Sequence, residues 1–344
     1  MKNKISIKAA ILEKTNSNLS IQEIFHNNIL SSDQLLIKIF YSGICGSQLG
    51  EISGVKGEDK YLPHLLGHEA TGEVLKVSKN TKDFKKGDKV ILHWQKNKKK
   101  DSLNPSYFNK KNMKINAGWI TTFNNYAVVS KNRITKLPKK INKIEGVLFG
   151  CALTTAYGAI FRDSKIKLKK KNRILIAGAG MIGQTILFFL SKEKQQIFIL
   201  EKNQKKLNLI KNLYPDVQVI KCLDDSKKNY FDYVFEATGA TKIIEQSFKS
   251  IKLTGKLILI GVPHYKKKIR INSLEINYGK KIIGSYGGGI TPNKEIPKII
   301  QFLDKKKLKL KNLYDKIYNF NDINLVLKKL KLGKIIKKPI LKLF

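Results

Sequence analysis

Three side chains of the kinds that bind a soft divalent metal stand at wide intervals in this chain: the thiols of Cys45 and Cys151 and the imidazole of His68. Two thiolates and one nitrogen suit a zinc ion whose fourth position stays open to a reacting oxygen, the ligand set of a catalytic site. Each could instead be a core residue, since free cysteine packs as a small hydrophobe and a buried histidine needs only hydrogen-bond partners. Their settings favour the metal. Cys45 lies in Ser42-Gly43-Ile44-Cys45-Gly46-Ser47, His68 in Gly67-His68-Glu69 beside a carboxylate, and Cys151 directly after Gly150. Glycines let a backbone come close to a bound group. Cys222, in a lysine-rich stretch, has no such setting and reads as structural.

A second constellation is Gly178-Ala179-Gly180-Met181-Ile182-Gly183. Alone it could be a tight turn, but the apolar run 174–177 precedes it and a helical stretch over 181–190 follows. That places Gly178, Gly180, Met181, Ile182 and Gly183 where a helix N-terminus faces a dinucleotide's pyrophosphate. The next strand, 197–200, leads into Glu201, about 20 residues on, where an acid accepts hydrogen bonds from ribose hydroxyls. A carboxylate there repels a 2′-phosphate, so NAD is expected over NADP. Lys202, Lys205 and Lys206 lie close enough to soften that choice, and Lys206 joins the candidate cofactor contacts.

The elements that must position these residues fall into two patterns. Residues 1 to about 95 alternate short β-rich runs, such as 35–40 and 71–77, with glycine-bearing turns, which predicts a strand-rich barrel. From Ile174 the order is strand, glycine turn, helix, strand, with further strands at 233–235 and 256–261, the pattern of a doubly wound parallel sheet. Helical runs at 296–303 and 323–332 precede a last strand at 339–341. The expected division is 1–152 with 287–344 as the barrel domain and 153–286 as the dinucleotide-binding domain.

The 344 residues, 42% hydrophobic, suffice for two cores. No run of eighteen apolar residues spans a bilayer, and residues 1–8 build no signal-peptide core, so a soluble, cytoplasmic protein with no membrane role is expected. Three widely spaced cysteines give no disulfide framework. A net charge of +41 raises the question of nucleic acid. Against it, the only arginines are Arg133, Arg162, Arg173 and Arg270, and lysines run through every segment among Ile and Asn. That is a compositional bias without a groove-reading helix or stacking platform, so no specific nucleic-acid partner is expected.

Taken together, these motifs resemble the zinc-dependent medium-chain dehydrogenases, the zinc-type alcohol dehydrogenases with a GroES-like catalytic domain and a Rossmann domain. Gly43-Ile44-Cys45-Gly46-Ser47, Gly67-His68-Glu69, Phe84 to Val90, Phe123 to Ala127, Gly150-Cys151 and the glycine fingerprint carry the resemblance, which covers essentially the whole chain. It implies that Cys45, His68 and Cys151 bind the catalytic zinc with Glu69 behind it. It also implies that Ser47 takes the hydroxyl proton, that Thr155 packs on the nicotinamide ring, and that hydride passes between an alcohol and NAD. A homodimer or homotetramer is expected, with 256–260 and 281–285 as candidate pairing strands.

The chain also departs from the family. The four cysteines of a structural zinc are missing between Trp94 and Gly118, so one zinc per chain is expected, with the polar insert 96–116 held by packing or a neighbouring subunit. Gln48 stands where Asp is usual, and Gly50 where some relatives place a proton-passing histidine. Gly46 replaces a basic residue on the pyrophosphate, for which Lys337 is a possible substitute. Set against the family pattern, His93 and Trp94 fall at the pocket wall, which suggests a polar substrate such as a polyol, sugar or cyclitol; His93 bonded to a backbone carbonyl is the competing reading. The alternatives are a zinc-free quinone or enoyl reductase of the same fold, disfavoured by the ligand set, and a non-catalytic nucleotide-binding protein.

Overall fold

Apolar side chains at every second position build the early strands. The computed structural model describes residues 4–79 and 81–344. The chain starts with β1 (Ile5–Leu12), β2 (Ser20–His26), β3 (Gln34–Gly43), α1 (Gly46–Ile52), β4 (His64–Leu65), β5 (Ala70–Val77) and β6 (Lys89–Leu92). Next come β7 (Tyr107–Asn109), β8 (Lys114–Ile115), β9 (Tyr126–Ser130), β10 (Ile134–Lys136) and α2 (Lys143–Gly146). A second series runs α3 (Ala152–Gly158), β11 (Arg173–Ala177), α4 (Met181–Leu190), β12 (Gln196–Leu200), α5 (Gln204–Leu213) and β13 (Gln218–Ile220). It continues through β14 (Phe231–Glu236), α6 (Thr241–Ser250), β15 (Ile251–Leu259), α7 (Ser273–Asn277) and β16 (Lys281–Gly284). Last come α8 (Pro292–Lys305), β17 (Tyr314–Asn319), α9 (Ile323–Lys331) and β18 (Lys338–Lys342).

Two units result. One holds the chain through Cys151 with Thr291–Lys298 and Leu310–Phe344; the other holds Ala152–Ile290 and Ile299–Lys309. Residues 152, 287–290 and 299–309, expected with the barrel, belong to the second unit. Phe302 of α8 packs there on Tyr157 and Phe189, with ring centroids 6.4 and 5.7 Å apart, and Lys306 pairs with Glu193 at 2.8 Å.

The first unit is the GroES-like, nearly closed barrel. β3 is its spine, antiparallel to β5, β9 and β18. Leu35, Ile37 and Ile39 point from one face of β3 into a core shared with Val74, Val90, Leu92, Val129 and the α9 side chains Ile323 and Val326, as the two-residue period of a strand requires. β1 is buried on both faces: Ala10 and Leu12 join that core, while Ile7, Ala9 and Ile11 join a second one with Ile24.

The second unit is a six-stranded parallel sheet in the order β13-β12-β11-β14-β15-β16, a Rossmann arrangement. Strands such as Ile174-Leu175-Ile176-Ala177 are wholly buried, as strands covered on both faces must be. α4 is buried from Gly183 through Leu190. α6 is amphipathic and buries Ile244, Ser247 and Phe248 at helical spacing. Among the described residues no single helix is long and apolar enough to cross a membrane.

The insert 96–116 is tied to its own chain. β7 pairs with β2 and turns back through β8, extending the sheet β4-β1-β2-β7-β8. Arg133 clamps its start: Nε and Nη2 donate to the two carboxylate oxygens of Asp101 at 2.7 and 2.9 Å, Nη1 donates to the Trp94 carbonyl, and the guanidinium lies 5.1 Å from the Trp119 ring centroid. Gln34 and Asn132 add bonds to the carbonyls of Leu103 and Lys99. Breaking a buried pair strands the remaining charge. Arg133→Met is therefore expected to lower unfolding free energy by about 3 kcal/mol in urea titrations, and a loss below about 1 kcal/mol would show that the clamp is dispensable.

Candidate catalytic metal site and dinucleotide site

Three neighbouring strands bring the metal-binding side chains together. In the β3–β5 pairing Ser42 lies opposite Ala70, and in the β3–β18 pairing Gly43 lies opposite Ile340. The chain leaving β3 delivers Cys45 as the N-cap of α1, and the chain entering β5 delivers His68 and Glu69. Glycine is required where these segments converge. A Cβ on Gly43 would sit 2.8 Å from Lys338 Cε and 2.9 Å from Glu69 Cδ; one on Gly150 would sit 2.6 Å from Glu69 Cβ and 2.5 Å from the Leu92 carbonyl oxygen. Gly150 thus lets Cys151 approach Glu69 from the end of its 3-10 turn (Val147–Gly150).

One ligand atom from each of Cys45, His68, Glu69 and Cys151 lies within 4.8 Å of all the others. His68 Nε2 and Glu69 Oε2 are buried without a hydrogen-bond partner, an expensive state for polar atoms that a cation would relieve. Two thiols, an imidazole and a carboxylate are a donor set for zinc, so these residues fit the metal.

Electrostatics agree. The hydrogen bond with Cys151 holds the Cys45 thiol well below its usual range against the cost of burial, with help from Lys338 and His68. The same bond, together with burial, drives Cys151 well above that range. Burial works against a charged His68, but the neighbouring Cys45 thiol, with the charge of Glu69, outweighs it and raises its pKa. Behind the cluster Glu69 Oε1 accepts from Lys338 Nζ, both residues fully buried. Burial opposes the Lys338 charge, yet Glu69 and the cysteines keep its pKa above the usual lysine value.

The other candidates divide. Ser47, in the first turn of α1, has a buried Oγ with no partner. The backbone N–H of Trp94 donates to the Gly150 carbonyl at 3.2 Å, and its ring lies 6.5 Å from that of His68. His93 requires a correction. It is fully buried, its Nδ1 donates to the Gln95 carbonyl at 2.6 Å, and its Nε2 lies 3.0 Å from Thr135 Oγ1. Both nitrogens are occupied, so His93 is a satisfied core residue and bonds no substrate hydroxyl. Lys337 is half-buried just before β18, and its neighbour Lys338 is the lysine that enters the site.

In the second unit the glycine turn follows β11. Gly178 has φ +94°, and its N–H donates to the Leu200 carbonyl at 2.8 Å. A Cβ on Gly183 would fall 1.9 Å from the Gly178 carbonyl oxygen, whereas one on Gly180, the N-cap of α4, would meet nothing within 4 Å. Gly183 therefore lets the helix close on the turn, and Gly180 leaves an open cradle at a helix N-terminus, with Met181 and Ile182 in its first turn. Glu201 accepts from the N–H groups of Ala179, Lys202 and Asn203, and Lys206 Nζ lies 3.2 Å from its Oε2. Hydrogen bonds and Lys206 keep its carboxyl below the usual range in spite of burial. Thr155 is buried in α3 with its Oγ1 unpartnered. These residues fit a nicotinamide dinucleotide.

Sequence reasoning missed two contributors, Lys338 and Glu236, and noted Gln48 only as a departure from Asp. Lys338 was detectable as a lysine at a core-facing strand position, and Gln48 as the third residue of a capping box begun by Cys45. Glu236, fully buried at the end of β14 and accepting from the N–H groups of Thr238 and Gly239, had no local signal.

Comparison with known proteins agrees with this geometry. Residues 31–139 match the family "Alcohol dehydrogenase GroES-like domain", and residues 176–305 match "Zinc-binding dehydrogenase". An S-(hydroxymethyl)glutathione dehydrogenase of Komagataella pastoris is 26% identical over 93% of each chain. The solved benzyl alcohol dehydrogenase of Acinetobacter calcoaceticus superposes with TM-score 0.85 at 21% identity, over 99% of this chain and 100% of that one. The acetophenone reductase of Geotrichum candidum, solved in complex with NAD, superposes with TM-score 0.79 at 17% identity, over 98% of this chain and 97% of that one. The chain belongs to the zinc-type medium-chain alcohol dehydrogenase family. It is an alcohol dehydrogenase-type oxidoreductase, of a family that uses a nicotinamide cofactor and zinc on small alcohols.

His93 makes stability pH-dependent. Burial lowers its pKa from 6.5 to about 4, so the unfolded chain takes up a proton between those values that the folded protein refuses. Its contribution is complete above pH 6.5 and is lost as pH falls towards 4, on the order of 3 kcal/mol. Urea titrations across this window should show a smaller fall in stability for His93→Asn than for the wild type; equal slopes would mean the wild-type imidazole is protonated in the fold.

Proposed function

We propose that this protein is an NAD-dependent dehydrogenase with one catalytic zinc, acting on a polar secondary alcohol such as a polyol, sugar or cyclitol. The observation that carries the reading is the convergence of Cys45, His68 and Cys151 with His68 Nε2 unpartnered. Zinc held there supplies a Lewis acid that makes an alcohol acidic near neutral pH. Ser47 would accept the alcohol proton on its Oγ while its own hydroxyl proton is handed on towards solvent, and Glu69 with Lys338 sets the field behind the thiols. In the other unit, the Gly180 cradle holds the pyrophosphate, Glu201 the ribose, and Thr155 packs against the nicotinamide.

With His93 removed from consideration, the substrate preference draws on a cavity of about 520 Å³ in the first unit that does not itself include the cluster residues and is lined in part by Gly50, Glu51, Glu58, Asp59, Tyr61 and Trp119. Gly50 and Glu51 belong to the last turn of α1, whose first turn carries Ser47. Carboxylates accept bonds from several hydroxyls while aromatic faces cover a ring. A homo-oligomer is supported by β16 standing at the sheet edge among the described residues, and by exposed Leu274, Ile276, Tyr278 and Tyr286 near it in sequence. Reduced thiols are consistent with a cytoplasmic setting.

Elemental analysis of purified protein should find about one zinc per chain, with Cys151→Ala retaining little of it and losing NAD reduction by at least ~100-fold. Polyols should outpace aliphatic alcohols of equal length in the wild type. A folded wild type that reduces a carbonyl substrate without zinc would instead be a zinc-free reductase. Glu201→Ala should lower the ratio of kcat/KM for NAD over NADP by about tenfold, and an unchanged ratio would remove Glu201 from cofactor choice.

A further inference from the structure

Gln48 is completely buried in α1, and its amide faces two partners. Its Oε1 accepts the Cys45 backbone N–H at 2.7 Å, and its Nε2 lies 2.6 Å from His68 Nδ1. An amide nitrogen only donates, so Nδ1 must be the bare, accepting nitrogen, and a neutral imidazole then carries its proton on Nε2. Nε2 is the nitrogen left for a metal, and a metal needs its lone pair.

Loading a metal therefore moves the imidazole proton to Nδ1, where it meets the amide NH2. Rotating the amide by half a turn brings Oε1 to that proton but turns the NH2 group onto the Cys45 N–H, for which no other acceptor exists among the described residues. In either orientation one buried donor faces another donor. The conflict does not depend on how the amide oxygen and nitrogen are assigned. A carboxylate of the same length would offer an acceptor at both ends.

We propose that Gln48 is a positioning residue that holds His68 in the tautomer opposed to metal ligation, so that zinc binds more weakly and exchanges more readily than two thiols and an imidazole would otherwise allow. The inference rests on zinc occupying this cluster. Groups that orient a metal-ligating histidine commonly change affinity by 10–100-fold.

The test is chelator competition for zinc on the full-length wild type and the isosteric Gln48→Glu, with circular dichroism to confirm folding. Gln48→Glu is expected to hold zinc at least about tenfold more tightly. Equal or weaker binding by a folded Gln48→Glu would overturn the role of Gln48 alone, whereas zinc binding to neither protein would overturn the zinc reading and this inference with it. Histidine-selective 15N NMR of the metal-free wild type, at a pH above the imidazole's titration, gives a second readout. A proton on Nε2 of His68 is expected, and a proton on Nδ1 would overturn the proposal even if Gln48→Glu failed to fold.

Discussion

The buried ion pair between Glu69 and Lys338 is the constraint around which the first unit is arranged. Both side chains are shut off from water, and removing two charges from water is repaid only when they meet at close range and their remaining polar atoms find partners. That requirement fixes the register of three strands at one point. Glu69 must enter β5, Lys338 must open β18, and β3 must pass between them at a residue without a side chain, Gly43. The second carboxylate oxygen then faces two thiols and an imidazole, so one arrangement both closes the barrel and sets the field of the metal site.

The second unit solves a similar problem with neutral backbone. The chain winds one way from β11 through β12 to β13 and then crosses back to β14 on the other side of β11, which opens a crevice at the strand ends. Acids at those ends tie the turns down: Glu201 holds the N–H of Ala179 in the glycine turn, and Glu236 holds the N–H groups of Thr238 and Gly239. The Gly183–Gly178 approach brings α4 against its own turn. A basic chain thus places carboxylates at the ends of β12 and β14, where loop backbone amides need acceptors.

The lysine surplus says little about function. Many lysines form half-exposed or exposed pairs, such as Lys110 with Glu23 and Lys298 with Glu295, and such pairs contribute little to stability. Three basic residues differ from the rest, one of them Lys280, which is buried and donates to the Phe248 and Lys249 carbonyls at 3.0 and 3.3 Å. Arg133 uses its planar fork on Asp101 and the Trp94 carbonyl, geometry that a lysine cannot reproduce. Lys338 is the charge that meets Glu69 behind the cysteine–histidine cluster. Their importance comes from burial, which neither composition nor spacing reports.

The sequence by itself determined the class of fold, the dinucleotide turn and the grouping of metal-binding residue types, because each is encoded in local chemistry. A two-residue apolar period makes strands, glycines are demanded by turns and close approaches, and only cysteine, histidine and acids bind zinc. Tertiary structure decided which face each side chain takes. His93 and Trp94 are adjacent, yet alternation along the chain buries one in the core and leaves the other near His68. Lys337 and Lys338 are separated by the same single step. The partner that sets the His68 tautomer and the boundary within α8 were likewise decided by long-range packing, since a residue's hydrogen-bond partners and burial depend on segments far away in the chain.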